Sequence, residues 1–354
     1  MSRLDDILNK GFEMKASDVH VTVGRPVSYR INGELQTFDD VALEKADLEE
    51  ICQPLLAKND IRGKLEAFGE ADFSYVLEGV CRFRANLFKQ RGNLAFVMRQ
   101  LPLSIPEAGP LGIPKSVVEL TNLKRGLVLV TGATGSGKST TLAALIGIIN
   151  NTCKKHIITV EDPIEYVHEH RMSEVNQREI GEDTKTFASA LRAMLREDPD
   201  VILVGEMRDP ETIEMALTAA ETGHLVFSTL HTNSAPSTID RIIDVFPGNK
   251  QNQIRTQLAN VLEGVCCQQL IKRKDGKGRL AVHEVMLANP AIRNLIREGK
   301  SFQITSQIQI GKKNGMQTMD DCLYANYVQN KITAEDCVKY AQNYNEMAQK
   351  LQSF

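Results

Sequence analysis

The chain has 354 residues, 42% of them hydrophobic and 25% charged, with a formal net charge of −3. That length suits two domains with ordinary cores, and the near-neutral charge offers no bulk positive field of the kind that gathers nucleic acid. No apolar run approaches the ~20 residues that a bilayer requires, and the opening MSRLDDILNK lacks an apolar signal segment. The expectation is a cytoplasmic protein with no direct membrane insertion, held at a membrane only through partners.

Residues 1–100 read as a small α+β domain. Val19, Val21 and Val23 alternate with polar residues, the period of a half-buried strand. A second strand over Val27–Ile31 runs into Asn32-Gly33, a strong hairpin signal. Around Val80–Phe88 the alternation is sharp: Cys81, Phe83, Ala85 and Leu87 point one way, Arg82, Arg84 and Asn86 the other. Arg91-Gly92-Asn93 then turns the chain into a strand over Leu94–Arg99. Residues 101–115 carry Pro102, Pro106, Pro110 and Pro114, which predict a stiff extended linker.

From residue 116 to 290 strands alternate with helices. Gly126–Thr131, Ile157–Val160, Val201–Val204 and Leu225–Leu230 are continuous apolar strands, and Thr186–Glu197 is helical, with Phe187, Ala190, Leu191, Met194 and Leu195 in one stripe. The pattern predicts an α/β domain whose parallel sheet is covered on both faces. Residues 291–354 read as a helical C-terminal region without further strands. The seven scattered cysteines, an odd number with no C-x-x-C pair, read as reduced thiols. The vicinal Cys266 and Cys267 are expected as small residues on a helix. The basic stretch Ile271–Arg279 reads as a turn between two segments, the only support for a RecA-type nucleic-acid translocase.

Gly132-Ala133-Thr134-Gly135-Ser136-Gly137-Lys138-Ser139 fits G-x-x-x-x-G-K-[ST], after an apolar strand and before a helix that opens at Thr140. In that context the loop's N–H groups and the helix N-terminus bind phosphate. Lys138 is expected to reach the β- and γ-phosphates of ATP, and the Ser139 hydroxyl to ligate Mg²⁺. In Asp198–Glu206 four apolar residues lead to Glu206, placed by a parallel sheet beside the phosphate loop, where it can hold Mg²⁺ or its water shell. A third strand ends in Glu161-Asp162-Pro163-Ile164-Glu165, and Glu161 and Glu165 are candidates to orient the attacking water. His224 and His231 bracket a strand at an odd offset, so they do not share one metal; His231, at the carboxyl end, is a candidate γ-phosphate sensor. Arg82 and Arg84, with Arg99 on the next strand, are candidates for positive charge delivered to a neighbouring subunit's nucleotide; Arg192 and Arg196 are the in-domain alternatives.

Taken together, GATGSGKST, ITVEDPIEY, DPDVILVGEMRD and TGHLVFSTLH, with RFRANLFKQRG upstream, resemble the secretion ATPase superfamily of type II secretion and type IV pili. Ala291–Glu298 and the run Gly315–Asp320 look like its pilus-retraction subgroup, and the paired-cysteine zinc motif of assembly ATPases is missing. The resemblance implies a PAS-like N-terminal domain, a RecA-like ATPase domain and a homo-hexameric ring. It also implies a pilus platform protein of the inner membrane as partner, with an accessory retraction ATPase as a further one. It strengthens Glu165, Glu206, His224, His231 and the strand arginines as site residues, with His224 and Arg99 on the nucleotide-binding side. Arg293 and Arg297, four apart on the helix Ala291–Glu298, are expected to be open to solvent or a partner.

Overall fold

In the computed structural model, which describes residues 2–352, Val19 and Val21 of the alternating valines lie buried in strand β1 (Asp18–Thr22), while Val23 falls in the turn after it. Asn32 and Gly33 both adopt positive φ and join β2 (Ser28–Ile31) to β3 (Glu34–Thr37), the two-residue turn that matches strand twist. Arg91 and Gly92 repeat the device between β5 (Cys81–Gln90) and β6 (Asn93–Gln100), while β4 (Glu70–Leu77) pairs with β5. The antiparallel sheet has the order β3-β2-β1-β6-β5-β4. Its inward residues, among them Phe83, Ala85, Leu87, Phe96 and Met98, pack with Leu4 and Leu8 of the helix Arg3–Glu13 and with Leu48, Ile51 and Leu55 of the helix Lys45–Leu56. These elements belong to one compact unit, Met1–Ser104; the other is Ile105–Phe354. Within the proline-rich stretch, expected to be extended, Ala108–Leu111 forms a short helix.

The second unit is built on β7 (Gly126–Thr131), β8 (His156–Glu161), β9 (Glu174–Glu179), β10 (Val201–Val204), β11 (Leu225–Leu230), β12 (Leu262–Lys272) and β13 (Arg279–Leu287). Their order is β13-β12-β7-β11-β10-β8-β9. The strands from β12 to β9 are parallel, and β7 is buried on both faces: Leu127 and Leu129 belong to one core, Val128 and Val130 to the other. This is the two-sided burial expected of an apolar parallel strand.

Two features depart from expectation. The sheet is mixed, because β13 runs antiparallel along β12 at the edge. Cys266 and Cys267 therefore lie on a strand, not a helix, and face the two opposite cores. Cys and Gln are indifferent strand formers, and the register against β7 makes this segment a strand.

The C-terminal region is helical from Pro290–Arg297 to Tyr344–Gln352, as expected. Ile292 and Ile296 are buried, but Arg293 is not an open cation. Its guanidinium donates to the carbonyls of Ala259 (2.8 Å) and Asn260 (3.0 Å) at the end of the helix Gly248–Val261, and to Glu263 Oε1 (3.0 Å). A cation at a helix C-terminus meets the carbonyls left without intrahelical donors, so Arg293 is a structural tie. Arg297 is exposed and donates to Asn260 Oδ1.

Candidate active site

The phosphate loop leaves β7 at Gly132, with φ +144°. A Cβ there would lie 2.3 Å from the Gln268 carbonyl oxygen and 2.6 Å from Ser136 Oγ, so only glycine lets the loop pass β12. Gln268 is a buried brace: its Nε2 donates to the Ser136 carbonyl (2.7 Å), and its Oε1 accepts from Thr141 Oγ1 (2.7 Å) in the first turn of the helix Lys138–Thr152. Ala133, Thr134 and Gly135 form the exposed crest, while Gly137, Lys138, Ser139 and Thr140 are half-buried. Lys138 Nζ donates to the carbonyls of Gly132 (2.8 Å) and Ala133 (3.1 Å). Burial lowers its pKa, against the opposing charges of Glu206 and Glu165.

The loop fits a polyphosphate on two observations. The helix turns its free N–H groups toward a crest made of small residues. Ser136 Oγ is buried with no partner among the described residues, a hydroxyl left for a ligand.

Glu206 lies two residues past β10 and receives Arg208 Nε and His231 Nε2, the latter at 3.0 Å. Desolvation works to raise its pKa, yet Arg208 and His231 outweigh it and hold the carboxylate below its ordinary range. Thr229 Oγ1 donates to the Gly205 carbonyl (2.6 Å) and the Met207 N–H donates to the Thr229 carbonyl (3.1 Å), locking the ends of β10 and β11 together. Glu165 is half-buried and close enough to Lys138 to oppose the loss of its proton.

Glu161 ends β8. Its Oε1 accepts from Thr159 Oγ1 (2.7 Å) and Gln177 Nε2 (3.1 Å). Burial pushes the carboxyl up to about 7 despite those bonds, and Glu165 and Glu179 push the same way. Gln177, on β9, is a clamp: it also donates to the Tyr166 carbonyl (2.9 Å) and accepts from the His168 N–H (2.7 Å). Tyr166 Oη in turn meets Thr140 Oγ1 (2.9 Å).

The structure thus brings the phosphate loop, Glu165, Glu206 and His231 into one electrostatic neighbourhood at the carboxyl ends of the strands, the expected ligand edge of an open α/β sheet. His224 does not join them. It precedes β11, at the opposite end of that strand from His231 and roughly 20 Å away at ~3.3 Å per residue, with Nδ1 against the Ala219 carbonyl (2.8 Å). As a nucleotide contact inside its own chain it is therefore corrected: its ring closes the C-terminus of the helix Pro210–Glu221. Arg82, Arg84 and Arg99 lie in the first unit. Arg99 stands opposite Arg84 across the β5–β6 pair, and its Nε donates to buried Asp18 (2.8 Å), so its charge is already neutralised locally. Arg84 is exposed. Arg192 pairs with Glu211 on the surface, and Arg196 is exposed. Gln268, Gln177 and Tyr166 were missed from sequence. Arg208 stood in view within the Glu206 motif, but nothing distinguished it from a surface arginine.

The family model described as Type II/IV secretion system protein matches residues 111–328. A Type IV pilus retractation ATPase PilT of Pseudomonas aeruginosa is 48% identical over 334 residues, covering 94% of this chain and 96% of that protein. A twitching motility protein of Neisseria gonorrhoeae is 48% identical over 321 residues, covering 90% and 85%. A crystal structure of the pilus retraction motor PilT with bound ADP superposes with a TM-score of 0.91 at 50% identity, covering 99% of each chain. The chain belongs to the type II/IV secretion system protein family.

Proposed function

We propose that this chain is an ATP-hydrolysing motor that retracts a type IV pilus by pilin depolymerisation. The observation that supports this most is the loop Gly132–Thr140 facing Glu206 and His231, in a chain 48% identical over 94% of its length to a retraction ATPase. Among the described residues no helix is long and apolar enough to cross a membrane, in keeping with a motor that works from the cytoplasmic face through a platform protein.

The roles follow from chemistry. The N–H groups of the loop and of the first helical turn hold the β- and γ-phosphates, and Lys138 turns from the loop carbonyls to their charge. The Ser139 hydroxyl and Glu206 would hold Mg²⁺ directly or through water, and the ion would supply neutralisation of the phosphate oxygens. Glu206, ionised by Arg208 and His231, keeps that site negative, and His231 reports on the γ-phosphate from the same carboxylate. Glu161 or Glu165 orients the attacking water. The chain assembles as a homo-hexamer, and Arg84 or Arg82 of one subunit reaches the nucleotide of its neighbour; Arg99 serves as the tether of β6 to Asp18.

The test is phosphate release by purified protein. Lys138→Ala is expected to abolish it, and retention of near wild-type turnover would reject the site. In cells, deletion of the gene is expected to give hyperpiliated, non-twitching bacteria; bald cells would indicate an assembly motor instead.

A further inference from the structure

Beside Ser139 lies a small chamber of about 40 Å³, lined by Ser139, Ala143, Glu161, Tyr166 and His168 together with the ends of β10 and β11. A cavity needs only roughly 10–15 Å³ to admit a water, provided it offers two or more polar partners. This one does. His168 is only 7% exposed, burial pushes its imidazole down to about 4 so that the ring is neutral, and its Nδ1 has no partner among the described residues. Such an atom in a folded protein is satisfied by a ligand or ordered water in nearly every case. Glu161 lines the same chamber, with its Oε1 taken by Thr159 and Gln177. The two side chains are set by one clamp, because Gln177 binds both the Glu161 carboxylate and the His168 backbone N–H.

We propose that a buried water in this chamber bridges His168 to Glu161, and that His168 is thereby a positioning residue for the Glu161 carboxylate. The inference rests on the reading of this site as one that hydrolyses ATP. With one oxygen fixed by Thr159 and Gln177 and the other side of the carboxylate met by the water, Glu161 has a single orientation toward the loop. Without the water it swings about its Gln177 contact. A small misplacement of a group that acts on the transition state lowers turnover without changing ground-state nucleotide binding.

The experiment uses the full chain. His168→Phe removes the nitrogen and fills the chamber; kcat is expected to fall about tenfold with the KM for ATP within about twofold. His168→Gln, which keeps a polar atom near the same place, restores most of kcat. Ala143→Val crowds the chamber from another of its lining positions, with His168 left in place, and reproduces the loss, so the question is decided even where His168→Phe does not fold. Wild-type kcat in His168→Phe or in Ala143→Val overturns the proposal, as does an equal loss in His168→Gln. A crystal structure with no water joining His168 to Glu161 overturns it too. Wild-type protein that released no phosphate would instead remove the underlying ATPase reading, which separates the two failures.

Discussion

Glu161 and Glu206 occupy equivalent places, each just past or at the carboxyl end of neighbouring parallel strands, yet their surroundings drive them apart. Glu206 meets Arg208 and His231 and is held ionised below the ordinary carboxylate range. Glu161 meets a hydroxyl, an amide and a buried chamber, with other carboxylates nearby, and titrates at about 7. Topology delivers both acids to the phosphate edge. Burial raises Glu161, and β9 adds the neutral Gln177 and the like-charged Glu179 beside it; Glu206 is held down by Arg208, just beyond it on its own segment, and by His231 past the end of β11. The lesson is that strand-end carboxylates of one sheet are not interchangeable, and that the neighbour decides which is a fixed charge and which a proton-exchanging group.

The sharpest way to break this comparison is to remove the fixed charge. Glu206→Gln is expected to cut turnover about 100- to 1000-fold, the scale of losing one pre-placed electrostatic group, while binding of labelled ADP persists. Equal losses of binding and turnover would show that Glu206 holds the loop together instead. His231→Ala leaves Arg208 as the remaining partner of Glu206 and is expected to lower kcat about tenfold. His224→Ala, at the far end of β11, should stay within about twofold when phosphate release is measured on the same preparations.

Glu161→Gln mimics the protonated form, so its defect depends on pH. Below about 7 wild-type Glu161 is largely protonated and the two proteins should converge; above it they diverge, and kcat ratios at pH 6 and pH 8 read this directly. The sign for stability follows. A carboxyl with a raised folded pKa binds its proton more tightly when folded, so wild-type stability falls as pH rises from the ordinary carboxylate range through about 7. Glu161→Gln lacks that loss, and its Tm advantage over wild type should grow from pH 5 to pH 8. A constant difference would mean that Glu161 is not the perturbed group.

The smallest expected effect on chemistry lies away from both strand ends. Arg297→Ala should leave turnover and stability unchanged within about 0.5 kcal/mol while impairing twitching, if that helix transmits motion. Arg293→Ala is a poor substitute, because loss of its bonds to the Ala259 and Asn260 carbonyls and to Glu263 should cost about 2 kcal/mol in chemical denaturation.

The phosphate loop was legible because its demands are local: glycines for the curl, a strand before it and a helix after it. Glu206 and Glu165 were legible through strand-end acidity. Gln268 and Gln177 were not, because they sit on β12 and β9, neither of which carries a clear strand period, and because a glutamine acquires a role only from what it touches. Arg293 read as a solvent-facing partner of Arg297, since helical spacing tells which residues share a face but not which helix end waits beneath that face. His224 and His231 were read as bracketing a strand, as they do, but only the packing around β11 shows that one closes a helix and the other meets Glu206.

By itself the sequence determined the period of the strands, the two hairpin turns at Asn32-Gly33 and Arg91-Gly92, the phosphate loop and the order of the acidic strand ends. Each is specified by residues within a few positions of one another. Tertiary structure decided what those residues do: that β12 completes the sheet and braces the loop through Gln268, that Arg99 is spent on Asp18, and that Glu206 is ionised while Glu161 holds its proton near neutrality. Burial, charge neighbours and hydrogen-bond partners come from segments distant in sequence, and side-chain chemistry depends on them as much as on residue type.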